Sequence, residues 1–191
     1  MEKYIPKFMD HLYNEDILEH IRFEEVRDAF HTNQIESKKE VIRAFDKLNA
    51  RRVLYIGAWI GYLTHYLLRE YPVEVRELDV DFRSKIISNM WNWDQPGYLG
   101  NMTMDIIYFR DWHEFDTIIN CSTEHVSNDW FNLMPMGTQV IMQSNNLKHK
   151  THINTCDDLE QMKQKFPLSH TVHASTVEFH NYNRFTLAGI K

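Results

Sequence analysis

The chain is poor in cysteine. Its two, Cys121 and Cys156, lie far apart and form no CxxC spacing. Two thiols in 191 residues make no disulfide framework, so a reducing, cytoplasmic setting is expected. Long apolar runs are missing as well. The opening MEKYIPKFMDHLYNED has no apolar segment of signal-peptide kind, and no stretch approaches the ~18 apolar residues of a membrane span. Neither a leader nor a membrane partner is expected. Repeats and low-complexity segments are absent. Positive charge is in deficit: 21 Lys and Arg against 27 Asp and Glu give a formal net charge of −6. A duplex nucleic-acid binder normally carries a basic face to offset phosphate repulsion, so nucleic acid is not the favoured partner. The 11 histidines are scattered without an HExxH or HxH cluster. His149 and His152 make a lone HxxH on a polar stretch, and no metal is expected.

What is present suits one compact domain: 43% of residues are hydrophobic and 25% charged, in a chain long enough to bury a sizeable core. The first fifty residues read as helical. Ile17, Leu18, Ile21, Val26 and Phe30 recur at roughly helical spacing over Glu15 to Phe30. A second helix is expected from Ser37, with its hydroxyl as cap, Glu40 as capping-box partner, and Val41, Ile42, Phe45 and Leu48 buried. Residues 1–50 then form an N-terminal helical cap on residues 51–191.

Beyond position 50 the period changes. Strands are expected at Arg51 to Gly57, Val73 to Asp79, Leu99 to Met104, Phe115 to Ser122, Gly137 to Gln143, Val172 to Phe179 and Arg184 to Ile190. Helices are expected between most of them, at Leu63 to Tyr71, Asp81 to Asn92 (capped by Asp81), Asn128 to Met134 and Asp157 to Phe166. Alternating strands and helices predict a doubly wound α/β fold: a mostly parallel seven-stranded sheet with helices on both faces. Only the polar turn HNYN separates the last two strands, so the final strand should run antiparallel.

In such sheets ligands bind at the carboxyl ends of the strands. After the first strand comes Gly57-Ala58-Trp59-Ile60-Gly61, where glycines permit a sharp turn and close approach to a ligand. The second strand ends in Asp79. An acid about 20 residues after a glycine loop is what ribose hydroxyls require of a protein. Together these point to an adenosyl cofactor.

These residues resemble the class I S-adenosylmethionine-dependent methyltransferase superfamily. The likeness runs through VLYIGAWIG, VRELDVD, TMDI and FDTIINCSTEHV, and covers roughly Arg51 to Lys191. The tail MQSNNL…RFTLAGIK is similar to small stand-alone methyltransferase-like proteins of phages and bacteria. The resemblance implies a Rossmann-like domain that binds S-adenosyl-L-methionine. Gly57, Ala58, Trp59 and Gly61 would shape the cofactor loop, and Asp79 would hold the ribose. Asp105 and Ile106 would meet the adenine, and Asn120, Cys121 and Ser122 would lie under the methionine part. Two positions depart from the family pattern: Tyr55 stands where an acid is usual, and Trp59 where a small residue is usual.

Glu124 and His125 follow the fourth strand and are the catalytic candidates, His125 as general base. Gln143, Ser144, Asn145 and Asn146 follow the fifth and are the substrate-binding candidates. Cys121 reads as a small buried residue rather than a nucleophile. Tyr4, Phe8, Tyr13, Trp91, Trp93 and Tyr98 form either a lid or core, with Trp91 and Trp93 assigned to the core. The N-terminal helices either cover the site or carry a homodimer contact. The leading expectation is a methyltransferase acting on a small polar molecule. A variant would use another part of the cofactor, by aminocarboxypropyl transfer, cyclisation or cleavage. The alternative, favoured by Tyr55 and Trp59, is a non-catalytic module that binds a ligand or protein on a degenerate methyltransferase fold.

Overall fold

The protein is described by a computed structural model covering residues 1–14 and 23–191. Three helices come first: α1 (Ile5–Asn14), α2 (Phe23–Ala29) and α3 (Thr32–Phe45). Half of the first expected helix, residues 15–22, lies outside the described residues. The third begins earlier than expected. His31 caps it by accepting from the Asn33 N–H (3.3 Å), and Ser37 sits inside it, its hydroxyl donating to the Asn33 carbonyl (2.7 Å). Serine satisfies its hydroxyl on the preceding turn as readily as it caps, which is why the capping-box pattern misleads here. Glu40 is correspondingly no cap partner. It is buried against Arg43 and the Ser175 hydroxyl.

Seven strands follow: β1 (Arg52–Ile56), β2 (Glu74–Asp79), β3 (Tyr98–Thr103), β4 (Thr117–Asn120), β5 (Gln139–Asn145), β6 (His170–Glu178) and β7 (Asn183–Ile190). Between them lie α4 (Tyr62–Glu70), α5 (Phe82–Asn92), α6 (Asp129–Leu133) and α7 (Leu159–Lys165). The strand order is β3-β2-β1-β4-β5-β7-β6, and β7 is antiparallel to both neighbours while the other six run together. β5 starts two residues later than expected because Gly137, at φ +85°, belongs to the preceding turn.

Side chains alternate across a strand, so each apolar strand feeds two layers. Leu54, Ile56, Ile118, Val140 and Met142 pack on one face with Trp130 and Phe166. Val53, Tyr55, Ile119 and Ile141 pack on the other with Val41 and Phe45 of α3 and Leu63 and Leu67 of α4. This double burial explains the near-continuous apolar reading of the central strands. A third cluster joins Phe8, Val26 and Ile35 of the N-terminal helices to Ile60, Tyr62 and Trp91. That placement lays the first helices over the side of the sheet that carries the loop 57–61.

Trp91 is core, stacked on His65 at 4.5 Å with its ring N–H donating to the Ile60 carbonyl (2.8 Å). Trp93, assigned to the core from sequence, is 73% exposed. Two positions apart at a helix end, the two indoles face nearly opposite ways and cannot share one core. No described helix is long and apolar enough to cross a membrane.

Candidate active site

The carboxyl ends of β1, β2, β4 and β5 open into two adjoining cavities. The larger, about 500 Å³, is lined by Gly57, Trp59, Asp79, Val80, Asp105, Ile106, Asn120, Ser122 and His125 among others. The smaller, about 220 Å³, is bounded by Lys38, Tyr55, Cys121, Glu124, Gln143 and Arg184, together with residues of α2 and the loop after β1, Ala58 included. Gly57, Trp59, Ser122 and His125 belong to both walls and mark the junction.

The backbone after β1 explains how a carboxylate comes to face this junction. Gly57 (φ +67°), Trp59 (φ +49°) and Gly61 (φ +69°) take left-handed conformations in close succession. The loop turns back so that the Trp59 N–H donates to Asp79 Oδ2 (2.9 Å), while the Asp81 N–H donates to Oδ1 (3.0 Å). Each carboxylate oxygen keeps lone-pair capacity for a ligand hydroxyl. Burial raises the Asp79 pKa from its ordinary value against the opposing pull of these N–H groups. Asp81 caps α5 through the Arg83 N–H (3.0 Å).

Gly57 and Gly61 do different work. Gly57 lines both cavities, and a Cβ there would meet the Ser122 hydroxyl at 3.1 Å. Gly61 lines neither. A Cβ there would stand 1.9 Å from Ser88 Oγ, so its role is to let α4 start against α5. Trp59 is half-buried, with the Arg83 guanidinium 5.7 Å from its ring, and leaves the larger cavity open beside it.

The remaining predicted cofactor residues converge. Asp105 caps the short turn Ile106–Tyr108 by accepting from the Ile107 N–H (3.1 Å), and Ile106 is buried beside it. Asn120 accepts from the Ser122 N–H (2.9 Å), while its buried Nδ2 has no partner among the described residues. Cys121 lines the smaller cavity. Burial pushes its thiol up to about 11 despite the nearby Lys38 ammonium, so it is no thiolate near neutrality.

The polar run Gln143 to Asn146 was expected after β5, but the strand continues through Asn145 because it stays paired with β7, and the run divides. Gln143 lines the smaller cavity and donates to the Ser37 carbonyl (2.8 Å) and the Thr186 hydroxyl (2.9 Å). Ser144, Asn145 and Asn146 line neither cavity. Ser144 is buried. Asn145 donates to Glu124 (2.5 Å) and accepts from the Leu147 N–H (2.9 Å), and Asn146 accepts from the Asn183 N–H (2.7 Å). Of the catalytic candidates, Glu124 is 2% exposed and its Oε1 accepts from Arg184 at 2.9 Å, whereas His125 is exposed at the junction.

Two cations of the smaller cavity have no signal in the sequence. Lys38 and Lys39 are adjacent on one helix. Lys39 pairs with Glu2 (2.9 Å) and Glu36 (2.7 Å), while Lys38 turns inward and has no hydrogen-bond or ion-pair partner among the described residues. Burial lowers its pKa to about 8. Arg184 arrives from β7, a strand that sequence reading assigns only to closing the sheet.

No protein-family model matches the sequence, and no curated protein matches it. Solved structures do resemble it. The N-methyltransferase NodS of Bradyrhizobium japonicum WM9, in complex with S-adenosyl-L-homocysteine, superposes with a TM-score of 0.66 over 97% of each chain, at 13% identity. The phosphoethanolamine N-methyltransferase 2 of Haemonchus contortus, with phosphomonomethylethanolamine and S-adenosylhomocysteine, gives 0.64 at 12% identity over 82% of this chain and 52% of that one. The [4+2]-cyclase SpnF gives 0.66 at 10% identity over 83% and 82%. The strand order, the reversed β7 and these superpositions give the chain the class I S-adenosylmethionine-dependent methyltransferase fold.

Proposed function

We propose that this chain is an S-adenosylmethionine-dependent methyltransferase acting on a small polar molecule. The observation that carries the reading is the pair of cavities meeting at Gly57, Trp59, Ser122 and His125. The larger has the donors and acceptors of a nucleoside site. Asp79 offers acceptor capacity to ribose hydroxyls, Asp105 to an exocyclic amine, and Ile106 with the exposed Val80 offers an apolar flank for a ring. The buried, unpartnered Asn120 Nδ2 is a donor that a bound cofactor would satisfy. S-adenosylmethionine supplies an electrophilic methyl group on a sulfonium. The smaller cavity admits only a small acceptor, and Gln143, Tyr55 and Lys38 make its wall polar. His125 stands at the junction, where a side chain acts on the acceptor's proton. The neighbours named above, two of them N-methyltransferases bound to S-adenosylhomocysteine, support the same cofactor here.

Calorimetry with S-adenosylmethionine and S-adenosylhomocysteine tests the reading. Heat with both is expected. Silence with both would favour a binding module without methyl transfer, the reading that Trp59 in the loop otherwise supports.

A further inference from the structure

We propose that Glu124, His125 and His152 bind one divalent transition-metal ion, Zn²⁺ being the ion their donor set suits, at the wall of the smaller cavity. One carboxylate oxygen and one ring nitrogen from each histidine lie within 4.8 Å of one another. The three residues come from two loops, after β4 and after β5. These loops are tied together: the N–H groups of Ile153 and Asn154 both donate to the Glu124 carbonyl (2.9 and 3.0 Å). The Asn154 side chain donates to the carbonyls of Thr123 (3.3 Å) and Val126 (3.1 Å). The fold therefore brings the sequence-remote His152 ring to 4.6 Å from that of His125, nearly perpendicular to it.

Three features separate this cluster from a chance meeting of polar groups. First, Glu124 is buried, and only one of its oxygens is used. Oε1 accepts from Asn145 and Arg184, while Oε2 has no partner among the described residues. An unmet carboxylate oxygen in the interior costs stability that a bound cation would recover. Second, both histidines turn Nδ1 to a backbone carbonyl, His125 to Thr151 (3.1 Å) and His152 to Leu147 (2.7 Å). A carbonyl only accepts, so each Nδ1 carries the proton and each Nε2 keeps a lone pair, the arrangement that orients metal-binding imidazoles. Third, His125 is exposed and lines both cavities, so a fourth ligand has room to enter. Two imidazoles and one carboxylate with an open position match catalytic zinc rather than magnesium, which prefers oxygen. Tetrahedral zinc with bonds of about 2.0–2.2 Å holds its ligands roughly 3.4 Å apart, so binding an ion draws together side chains that already lie within 4.8 Å. Arg184 holds Oε1 and so leaves the carboxylate a single bond to offer.

The inference deepens the methyltransferase reading and rests on it for its consequence. An ion here faces the acceptor cavity, so the acceptor class it suits is a hydroxyl compound. Coordination lowers the pKa of a hydroxyl, whose O–H bond then breaks with the proton passing to water and the electron pair staying on oxygen. His125 would serve as ligand instead of taking that proton itself.

The test is a calorimetric titration of chelator-treated, cofactor-free protein with Zn²⁺, repeated with Co²⁺ by visible absorption. One ion per chain is expected. His152→Ala and His125→Ala should each weaken binding at least tenfold and remove the cobalt bands. His113→Ala, altering an exposed histidine before β4 at the far end of the sheet, should change neither. No binding by the unaltered protein, or equal binding by His152→Ala, overturns the site. S-adenosylhomocysteine is titrated separately. Zinc binding without it leaves the ion site standing and removes the methyltransferase reading; the reverse result removes only the ion.

Discussion

The two cavities are built in opposite ways. The larger is made from short stretches at the ends of consecutive strands: Ile56, Gly57 and Trp59, residues 78–80 and residues 105–106, completed by the β4 exit. Its chemistry is acceptor-rich and apolar. The smaller gathers Asp28, Lys38, Tyr55, Gln143 and Arg184 from two helices and three strands spread over most of the chain. Its chemistry is polar and of mixed charge, with Lys38 and Arg184 facing Asp28 and Glu124. The first kind of site is set by local turns and the second by tertiary packing. Mutations in the two should accordingly fail differently, through ligand affinity in one and through folding in the other.

The largest effect is expected in the second. Glu124→Ala removes the partner of a guanidinium that is itself buried, with side-chain exposures of 8% for Arg184 and 3% for Glu124. Breaking a buried pair from one side typically costs about 3–5 kcal/mol, which urea denaturation would register. A loss within the range of a surface substitution would show that water reaches this pair. Next come the two loop glycines, one from each role. Gly61→Ala meets Ser88 Oγ at 1.9 Å in a left-handed backbone and should cost about 2–4 kcal/mol of stability through overpacking and strain together. Gly57→Ala carries the strain with a milder contact and should cost about 1–2 kcal/mol, while disturbing the cavity junction. Equal melting temperatures for the two would erase the distinction between packing glycine and site glycine.

In the larger cavity the expected loss is of affinity. Asp79→Ala should weaken S-adenosylhomocysteine binding by about 1–3 kcal/mol, the usual cost of hydrogen bonds to a charged group. It also frees the N–H groups of Trp59 and Asp81. Asp79→Asn keeps one accepting oxygen and should fall between. Affinity that Asp79→Ala leaves intact would place the ribose elsewhere.

The same contrast explains what the sequence made legible. Strand, glycine loop, helix and acid follow one another within about thirty positions, so the backbone alone carries Asp79 to Trp59. The seven strands, the reversed last one and the Asp81 cap were readable for that reason. His31 as cap, Ser37 inside its helix and exposed Trp93 were not, because each depends on which of several satisfactory bonds or faces the packing selects. Gln143, Ser144, Asn145 and Asn146 looked equivalent in sequence. The strand's alternation and the β4 exit send only the first into a cavity. His152, one half of the lone HxxH, meets Glu124 and His125 only because the loop after β5 folds onto Glu124, and His149 takes no part.

Lys38 offers the finest test of the comparison. Its ammonium stands in the smaller cavity without an ion-pair partner among the described residues, and burial lowers its pKa to about 8 from the usual lysine value. The unfolded chain therefore holds a proton that the folded chain gives up between pH 8 and the ordinary lysine range. Where the unfolded state binds more protons, stability rises with pH, so this group's contribution is present at high pH and is lost as pH falls through 8. Lys38→Met removes the penalty. The variant should melt a few degrees above the unaltered protein at pH 7, and the gap should close as both are taken towards pH 10. Groups remote from Lys38 titrate alike in the two proteins, and Cys121, the thiol nearest it, ionises only near pH 11, above this window. A gap that stays constant with pH would mean that the ammonium is as well solvated as Lys39, and that the smaller cavity is open water rather than a lined pocket for a polar acceptor.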